Sequence, residues 1–377
     1  MKFITTLAGL ALGLAVTAAY AEIVVGVTIS TTGPAASLGI PEKNTIAMMP
    51  ATVGNEKIRY VVMDDGSDPS MAVKNARKLT SEDKADILIG SSTVPTSLAL
   101  IEVAIETHTP MLALAPLAPA ADKRAWAFAP PQTNLLMASA VVDHMAASGV
   151  KTMGFIGYND AFGEGFWREV EPLAQKAGIK ILASERYNRT DTSVTGQVLK
   201  LVSANPEAIL IVGSGTPAAL PQITLAERGY KGRIYQSHGA ANRDFIRVGG
   251  KNVEGALIPV GPILVAEQLP DSHPSKKVAL DYVKAYESIH GADSRSTFGG
   301  HTWDAGLLFR HAAQEALKKA KPGTAEFRQA LRDALENTRN LAATHGVFNM
   351  SAADHTGLDV NSRVMVRIEG GNWKVIK

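Results

Sequence analysis

The chain alternates between short apolar runs and longer stretches in which apolar residues recur every three or four positions. The short runs are rich in valine and isoleucine and are bounded by glycine, proline or aspartate, which is typical of strands buried on both faces. They predict strands over residues 23–29, 58–63, 87–90, 111–115, 152–157, 179–187, 208–212 and 233–237. The longer stretches predict helices over residues 69–83, 95–107, 135–148, 163–178, 195–205 and 217–229.

This order of elements predicts an α/β protein with two lobes. Strands that alternate with helices form mostly parallel sheets covered by helices on both faces. The alternation runs once to about residue 115 and starts again at residue 135. Helices over residues 275–290, 303–319 and 324–337 follow, and the chain ends in a predicted hairpin of residues 346–350 with 364–368, then a strand over 373–376. Ligands bind at the carboxyl ends of such strands and between domains, so we expect a cleft between the lobes.

The first 21 residues have a different pattern. Lys2 precedes an apolar segment over residues 4–16, and Ala19 and Ala21 supply the small residues that signal peptidase accepts. The apolar segment is shorter than a membrane span, and a buried N-terminal helix would not explain the three-part order. We therefore expect residues 1–21 to be a cleaved secretory signal and the mature chain to begin at Glu22.

Composition excludes several classes of function. The length of 377 residues suits two domains, and the net charge of +2 gives no electrostatic basis for a nucleic-acid or anionic-lipid partner. The chain has no cysteine, which excludes disulfides, thiolate metal sites, a cysteine nucleophile and a lipid-anchored N-terminus. We expect the mature protein to be free in a periplasm.

Two segments imitate ligand-binding motifs. Residues 213–218 follow a strand and open a helix like a dinucleotide fingerprint, but His238 follows the next strand where an acidic residue would bind the ribose. The acidic turn at residues 64–69 lacks the remaining ligands of an EF-hand loop, and turn formation explains it better. Because no metal-binding spacing, nucleophile motif or paired carboxylates occur either, we expect no cofactor, no metal and no enzymatic activity.

Four segments together carry a resemblance to a known family. They are IVVGVTISTTGP at 23–34, DDGSDP at 64–69 with ARKL at 76–79, YNDAFGEG at 158–165 and WDA at 303–305. In this order they resemble the branched-chain amino-acid-binding type of periplasmic receptor, the solute-binding component of an ABC importer. The resemblance covers nearly the whole mature chain.

The resemblance implies a type I periplasmic binding protein whose two lobes are joined by three hinge crossovers and close on a ligand. With crossings near residues 138, 263 and 345, lobe one would comprise 22–138 plus 264–345, and lobe two 139–263 plus 346–377. The implied partners are a small-molecule ligand and a membrane permease, and we expect a monomer.

A loop between a predicted strand and helix is the first candidate for the ligand site. Its candidate residues are Ser91, Ser92, Thr93, Val94 and Thr96. Hydroxyl groups and free N–H groups at a helix N-terminus bind anions, and the resemblance places the ligand carboxylate here, together with backbone N–H groups near Ala118. The alternative is an ordinary Ser/Thr helix cap, and both interpretations can hold.

The sequence departs from the amino-acid receptors at positions that would contact the ligand. Pro119 stands where they usually have Thr or Ser, which removes a hydroxyl and an N–H. His238 stands in place of a Glu that would pair with an α-ammonium group, and histidine suits a carbonyl or carboxylate better. Phe162 takes the place of an aromatic that closes over the ligand, and Gly215, followed by Thr216, replaces a Tyr.

These departures predict a pocket for a small carboxylate, an aromatic or apolar acid or keto acid, rather than leucine. The alternatives left open are a receptor for branched-chain or other amino acids, a periplasmic hydrolase on the same scaffold, and a sensory receptor that presents its ligand state to a signalling partner.

Overall fold

The computed structural model describes residues 22–376. Its first sheet is built from β1 (Ile23–Ile29), β2 (Thr52–Val53), β3 (Glu56–Asp64), β4 (Ile87–Gly90), β5 (Met111–Leu112) and β6 (Ala127–Phe128). Their order across the sheet is β2-β3-β1-β4-β5-β6, and the neighbours are parallel except that β2 runs antiparallel to β3.

The second sheet has seven strands. They are β7 (Thr152–Tyr158), β8 (Lys180–Tyr187), β9 (Ala208–Val212), β10 (Arg233–Gln236), β11 (Leu257–Val260), β14 (Val364–Glu369) and β15 (Asn372–Val375). The order is β15-β14-β11-β10-β9-β7-β8, with β14 antiparallel to both of its neighbours. The remaining strands, β12 (Leu341–Ala342) and β13 (Val347–Phe348), form a separate antiparallel pair.

Helices cover the sheets. They are α1 (Ala36–Ile46), α2 (Pro69–Ser81), α3 (Val94–Thr107), α4 (Asn134–Ala147), α5 (Ala161–Lys176), α6 (Thr195–Ala204), α7 (Ala219–Glu227), α8 (Arg243–Gly249), α9 (Lys276–His290), α10 (Thr297–Ala316) and α11 (Ala325–Glu336). The predicted class, two mostly parallel sheets flanked by helices, is confirmed.

Local sequence explains where these elements form. Every residue of β1 and β9 is buried, as expected for central strands covered on both faces. Asp68 caps α2 by accepting a hydrogen bond from the N–H of Met71 at 2.8 Å, and Pro69 starts the helix. Asp160 caps α5 through the N–H groups of Phe162 and Gly163. These caps fix the residues at which α2 and α5 begin, shortly after the ends of β3 and β7.

The predicted hairpin between residues 346–350 and 364–368 is wrong. Strand β13 pairs with β12, whereas β14 pairs with β11 and β15. Strand β11 was not predicted because it has only four residues and contains Pro259, yet it offers β14 a partner inside the second sheet. The sequence pattern marks Gly33, Pro34 and Gly39 as a loop before a helix, whereas α1 already begins at Ala36.

The lobe limits at residues 138, 263 and 345 stay a prediction. The apolar cores show which sheet residues 347–350 and helix α9 pack against. Phe348 and Met350 pack in a core with β1 and Phe309, which places residues 347–350 with the first sheet. Tyr282 of α9 packs in a core with Ile258 of the second sheet, while its hydroxyl lies 2.8 Å from that of Thr45 in α1. Helix α9 therefore contacts both lobes.

Within residues 22–376, no helix combines the length and the apolar character that a membrane crossing requires. The predicted secretory signal at residues 1–21 lies outside the described residues.

Candidate functional site

A small cavity of about 30 Å³ lies between the two sheets. Its walls come from loops at the carboxyl ends of β4, β5, β7, β9 and β10, together with α1 and α10. The lining residues are Leu38, Ser92, Val94, Leu114, Ala115, Pro116, Phe162, Ser214, His238, Gly239, Phe298 and His301. A ligand site at this position is expected for sheets of this topology.

Of the five candidates at residues 91–96, Ser92 and Val94 line the cavity. Ser91 points away from it and donates a hydrogen bond to Oδ2 of the buried Asp65 at 2.6 Å. Thr93 and Thr96 form a reciprocal capping box at the start of α3. The cap interpretation therefore holds for the two threonines, and their capping fixes the position of Val94, whose N–H begins the helix without an intrahelical partner.

A buried carboxyl group that the sequence analysis missed supports Ser92. The Ser92 hydroxyl donates to Oε2 of Glu42 and accepts from the N–H of Ser30 at 2.9 Å. Burial raises the pKa of Glu42 well above its usual range; the bond from Ser92 lowers it and the nearby Asp65 raises it further. The signal in the sequence was a glutamate on the buried face of α1, because glutamate side chains are normally exposed.

The second lobe contributes Phe162 and His238, which are 4% and 5% exposed. The His238 ring meets Phe162 edge-on at 5.7 Å between centroids and stacks on Phe166 at 6.1 Å. Burial, with a smaller contribution from the charge of His345, lowers the pKa of His238 to about 4. Its Nδ1 has no hydrogen-bond partner among the described residues. The ring is therefore neutral at neutral pH and available to a ligand.

Gly215 and Thr216 lie across the cleft from α1 rather than in the cavity wall. The N–H of Thr216 donates to Oγ of Ser37 at 3.2 Å. A Cβ atom on Gly215 would lie 2.5 Å from that same oxygen and 2.8 Å from Leu38. These residues therefore form a direct contact between the lobes.

Ala118 and Pro119 do not reach the cleft. They border a separate surface cavity together with Arg124, Asp354 and His355. The residues of this loop that line the interlobe cavity are instead Leu114, Ala115 and Pro116, because the chain leaves the cleft soon after β5 ends. The wall residues from this loop therefore precede Ala118 by two to four positions.

Helix α10 supplies two cavity residues that were missed, Phe298 and His301. The helix begins at Thr297, six residues before the predicted start, so its first turns were not recognised as part of the helix. Burial lowers the pKa of His301 well below its usual range, and the charges of His345 and His238 act in the same direction. A polar residue on the apolar face of this helix was the available signal.

The cavity is apolar with a few polar groups and no formal charge among its lining residues. Its polar side chains are two serines and two histidines, and no arginine, lysine, aspartate or glutamate from the described part of the chain contributes to the wall. No cluster of metal-ligating side chains occurs within residues 22–376. This composition suits a small, mostly apolar molecule held by hydrogen bonds.

Two α/β lobes that enclose such a cavity define a two-lobe binding protein of the type I periplasmic class. The sequence profile described as "Periplasmic binding protein" matches residues 22–372, and the chain belongs to this family. The family is one of solute-binding proteins.

Similar proteins agree with this assignment. An extracellular ligand-binding receptor from Rhodopseudomonas palustris HaA2 is 46% identical, with a TM-score of 0.93 over 94% of this chain and 100% of that chain. A "Leu/Ile/Val-binding protein homolog 3" from Brucella melitensis is 24% identical over 64% of this chain and 67% of its own length. A leucine-binding protein from Thermotoga maritima has a TM-score of 0.82 at 20% identity, over 94% of this chain and 98% of that chain, and shows the fold alone.

Proposed function

We propose that the protein captures a small aromatic or apolar carboxylate, an acid or keto acid, in the interlobe cleft and presents it to the membrane permease of an ABC importer. In this proposal the protein acts in the periplasm as a monomer after removal of residues 1–21. The observation that carries the proposal is that no acidic side chain among the described residues lines the cavity, which leaves no carboxylate partner for the α-ammonium group of an amino acid.

The first lobe offers the carboxylate a polar end. Ser92 and Val94, the first residue of α3, both line the cavity. Free N–H groups at a helix N-terminus stabilise an anion without a formal positive charge. His238, neutral and without a fixed partner at Nδ1, can donate a further hydrogen bond from the opposite lobe.

The rest of the cavity suits a flat apolar body. Val94, Leu114, Phe162 and Phe298 provide its side walls. Aromatic rings prefer edge-on or offset contacts with other rings, and Phe162 already adopts an edge-on contact with His238. An aromatic acid would bury its ring between these groups with its carboxylate toward the start of α3.

A receptor for branched-chain amino acids is the second candidate. The name of the relative from Brucella melitensis favours it, since it refers to Leu, Ile and Val. In such a receptor the α-ammonium group needs an anionic or carbonyl partner in the cleft. Glu42 is the nearest carboxyl group to the polar end, but it lies behind Ser92 and outside the lining.

A ligand panel tests the proposal. The mature protein is unfolded, stripped of ligand and refolded, and its melting temperature is measured with aromatic acids, aromatic keto acids, aliphatic keto acids, amino acids and short dicarboxylates. A ligand at 100 times its Kd adds about 2.7 kcal/mol to the free energy of unfolding. We expect the largest shifts with aromatic acids or keto acids. Shifts with branched-chain amino acids alone would contradict the proposal and leave the family assignment intact.

A further inference from the structure

His301 is a buried polar residue of the cavity wall with an unused hydrogen-bonding atom. The side chain is 2% exposed, and its Nδ1 has no partner among the described residues. Its other nitrogen, Nε2, lies 3.2 Å from Oε1 of Gln132. An unpaired polar atom in an apolar cavity is costly unless a ligand satisfies it.

The surroundings of His301 determine what Nδ1 can do. Nε2 of Gln132 donates to the carbonyl oxygen of Ser362 at 2.7 Å. Because a carbonyl only accepts, the Gln132 amide must turn its NH₂ group toward Ser362 and its oxygen toward His301. That oxygen also only accepts, so Nε2 of His301 carries the proton. In a neutral ring the remaining nitrogen, Nδ1, is then an acceptor.

The other polar side chains of the cavity wall differ from His301. The Ser92 hydroxyl is already committed, since it donates to Glu42 and accepts from the N–H of Ser30. The Ser214 hydroxyl accepts a hydrogen bond from Arg189 at 2.7 Å, and its proton can still be donated. His238 has no hydrogen bond that fixes its tautomer among the described residues, so it can donate to a carboxylate. Of the two histidines, His301 is the one held as an acceptor.

We propose that His301 makes the site selective for ligands that carry a hydroxyl group in addition to the carboxylate. The hydroxyl would donate to Nδ1 and satisfy the unpaired acceptor. A ligand without it would leave that atom buried and unpaired, which is the situation in which binding sites discriminate most strongly. This inference rests on the proposed function and narrows the ligand class to hydroxylated aromatic acids or keto acids.

Matched pairs of acids test the inference on the stripped protein. Isothermal titration calorimetry compares phenylacetate with its 2-, 3- and 4-hydroxy derivatives, and phenylpyruvate with 4-hydroxyphenylpyruvate. We expect at least one hydroxylated acid to bind about tenfold more tightly, or better, than its parent. Equal affinities, or a preference for the parent acids throughout, would overturn the inference while leaving the proposed function in place. Failure of every aromatic acid to bind would overturn both.

Two substitutions separate Nδ1 from the rest of the ring. In His301→Gln the side-chain amide reaches toward the position of Nε2 and keeps a polar group near Gln132, but nothing replaces Nδ1. In His301→Asn the amide oxygen can replace Nδ1, and the contact with Gln132 is lost. We expect the preference for the hydroxylated acid to vanish in the glutamine variant and to persist in part in the asparagine variant. Equal loss for both acids in the glutamine variant would contradict the assignment.

Discussion

At the scale of single residues, burial shifts the pKa values of the ionisable groups in and behind the cavity wall toward the uncharged form. Glu42 behind Ser92 has a raised pKa, and His238 and His301 have lowered ones. In each case burial is the largest cause, because desolvation disfavours the charged form of an acid and of a base alike. The result is a polar but neutral lining, which the sequence could not show because it depends on packing between distant elements.

His238 should make stability depend on pH. Its pKa is about 4 in the folded protein and about 6.5 in the unfolded chain. Between these values the unfolded chain binds a proton that the folded protein does not, so stability is complete above pH 6.5 and falls as the pH falls toward 4. The full contribution is on the order of 3 kcal/mol.

Urea unfolding of the wild type and His238→Gln between pH 7 and pH 4.5 measures this contribution. We expect the free energy of unfolding to decline less steeply with falling pH in the variant. The same slope in both proteins would show that His238 is not buried in its neutral form.

At the scale of elements, the sequence predicted the strands and helices whose type is determined by their own residues. Strands β1 and β9 are continuous apolar runs because both of their faces are buried. Helix α1 was partly missed because Gly39 serves a tertiary contact: a Cβ atom there would lie 2.1 Å from the carbonyl oxygen of Ser30. The partner of β14 was mispredicted because strand pairing depends on β11, which lies about 100 residues earlier in the chain.

The turn after β9 should control closure of the cleft through its contact with the start of α1. Gly215 has a φ of +64° and no room for a Cβ atom against Ser37 and Leu38. Gly215→Ala should therefore hold the lobes apart and weaken ligand binding about tenfold or more.

Gly229→Ala is the matched control, since this glycine has a φ of +75° with no atom within 4 Å of the added Cβ. Both variants should lose a similar amount of stability from backbone strain, on the order of 1 kcal/mol. Calorimetry with the best acid of the panel compares their affinities. Equal affinities would contradict the role of the Gly215 contact.

At the scale of the whole molecule, the two lobes touch and leave only a small cavity between them. Phe162, His238 and Phe298 are each at most 5% exposed although they face the site. A ligand must therefore enter an open form and favour the closed form through contacts with both lobes. The sequence predicted the two lobes and part of the site: Ser92, Val94, Phe162 and His238 lie together as expected, whereas Leu38 and His301 come from helices whose starts the pattern did not reveal.

The most direct test of the account compares ligands that differ only at the α-carbon. Phenylpyruvate and phenylalanine, and 4-methyl-2-oxopentanoate and leucine, present the same side chain with a keto or an ammonium group. Because no acidic residue lines the cavity, we expect each keto acid to bind at least about 100-fold more tightly than its amino acid in calorimetry of the stripped protein. Tighter binding of phenylalanine or leucine would contradict the central claim and indicate an amino-acid receptor.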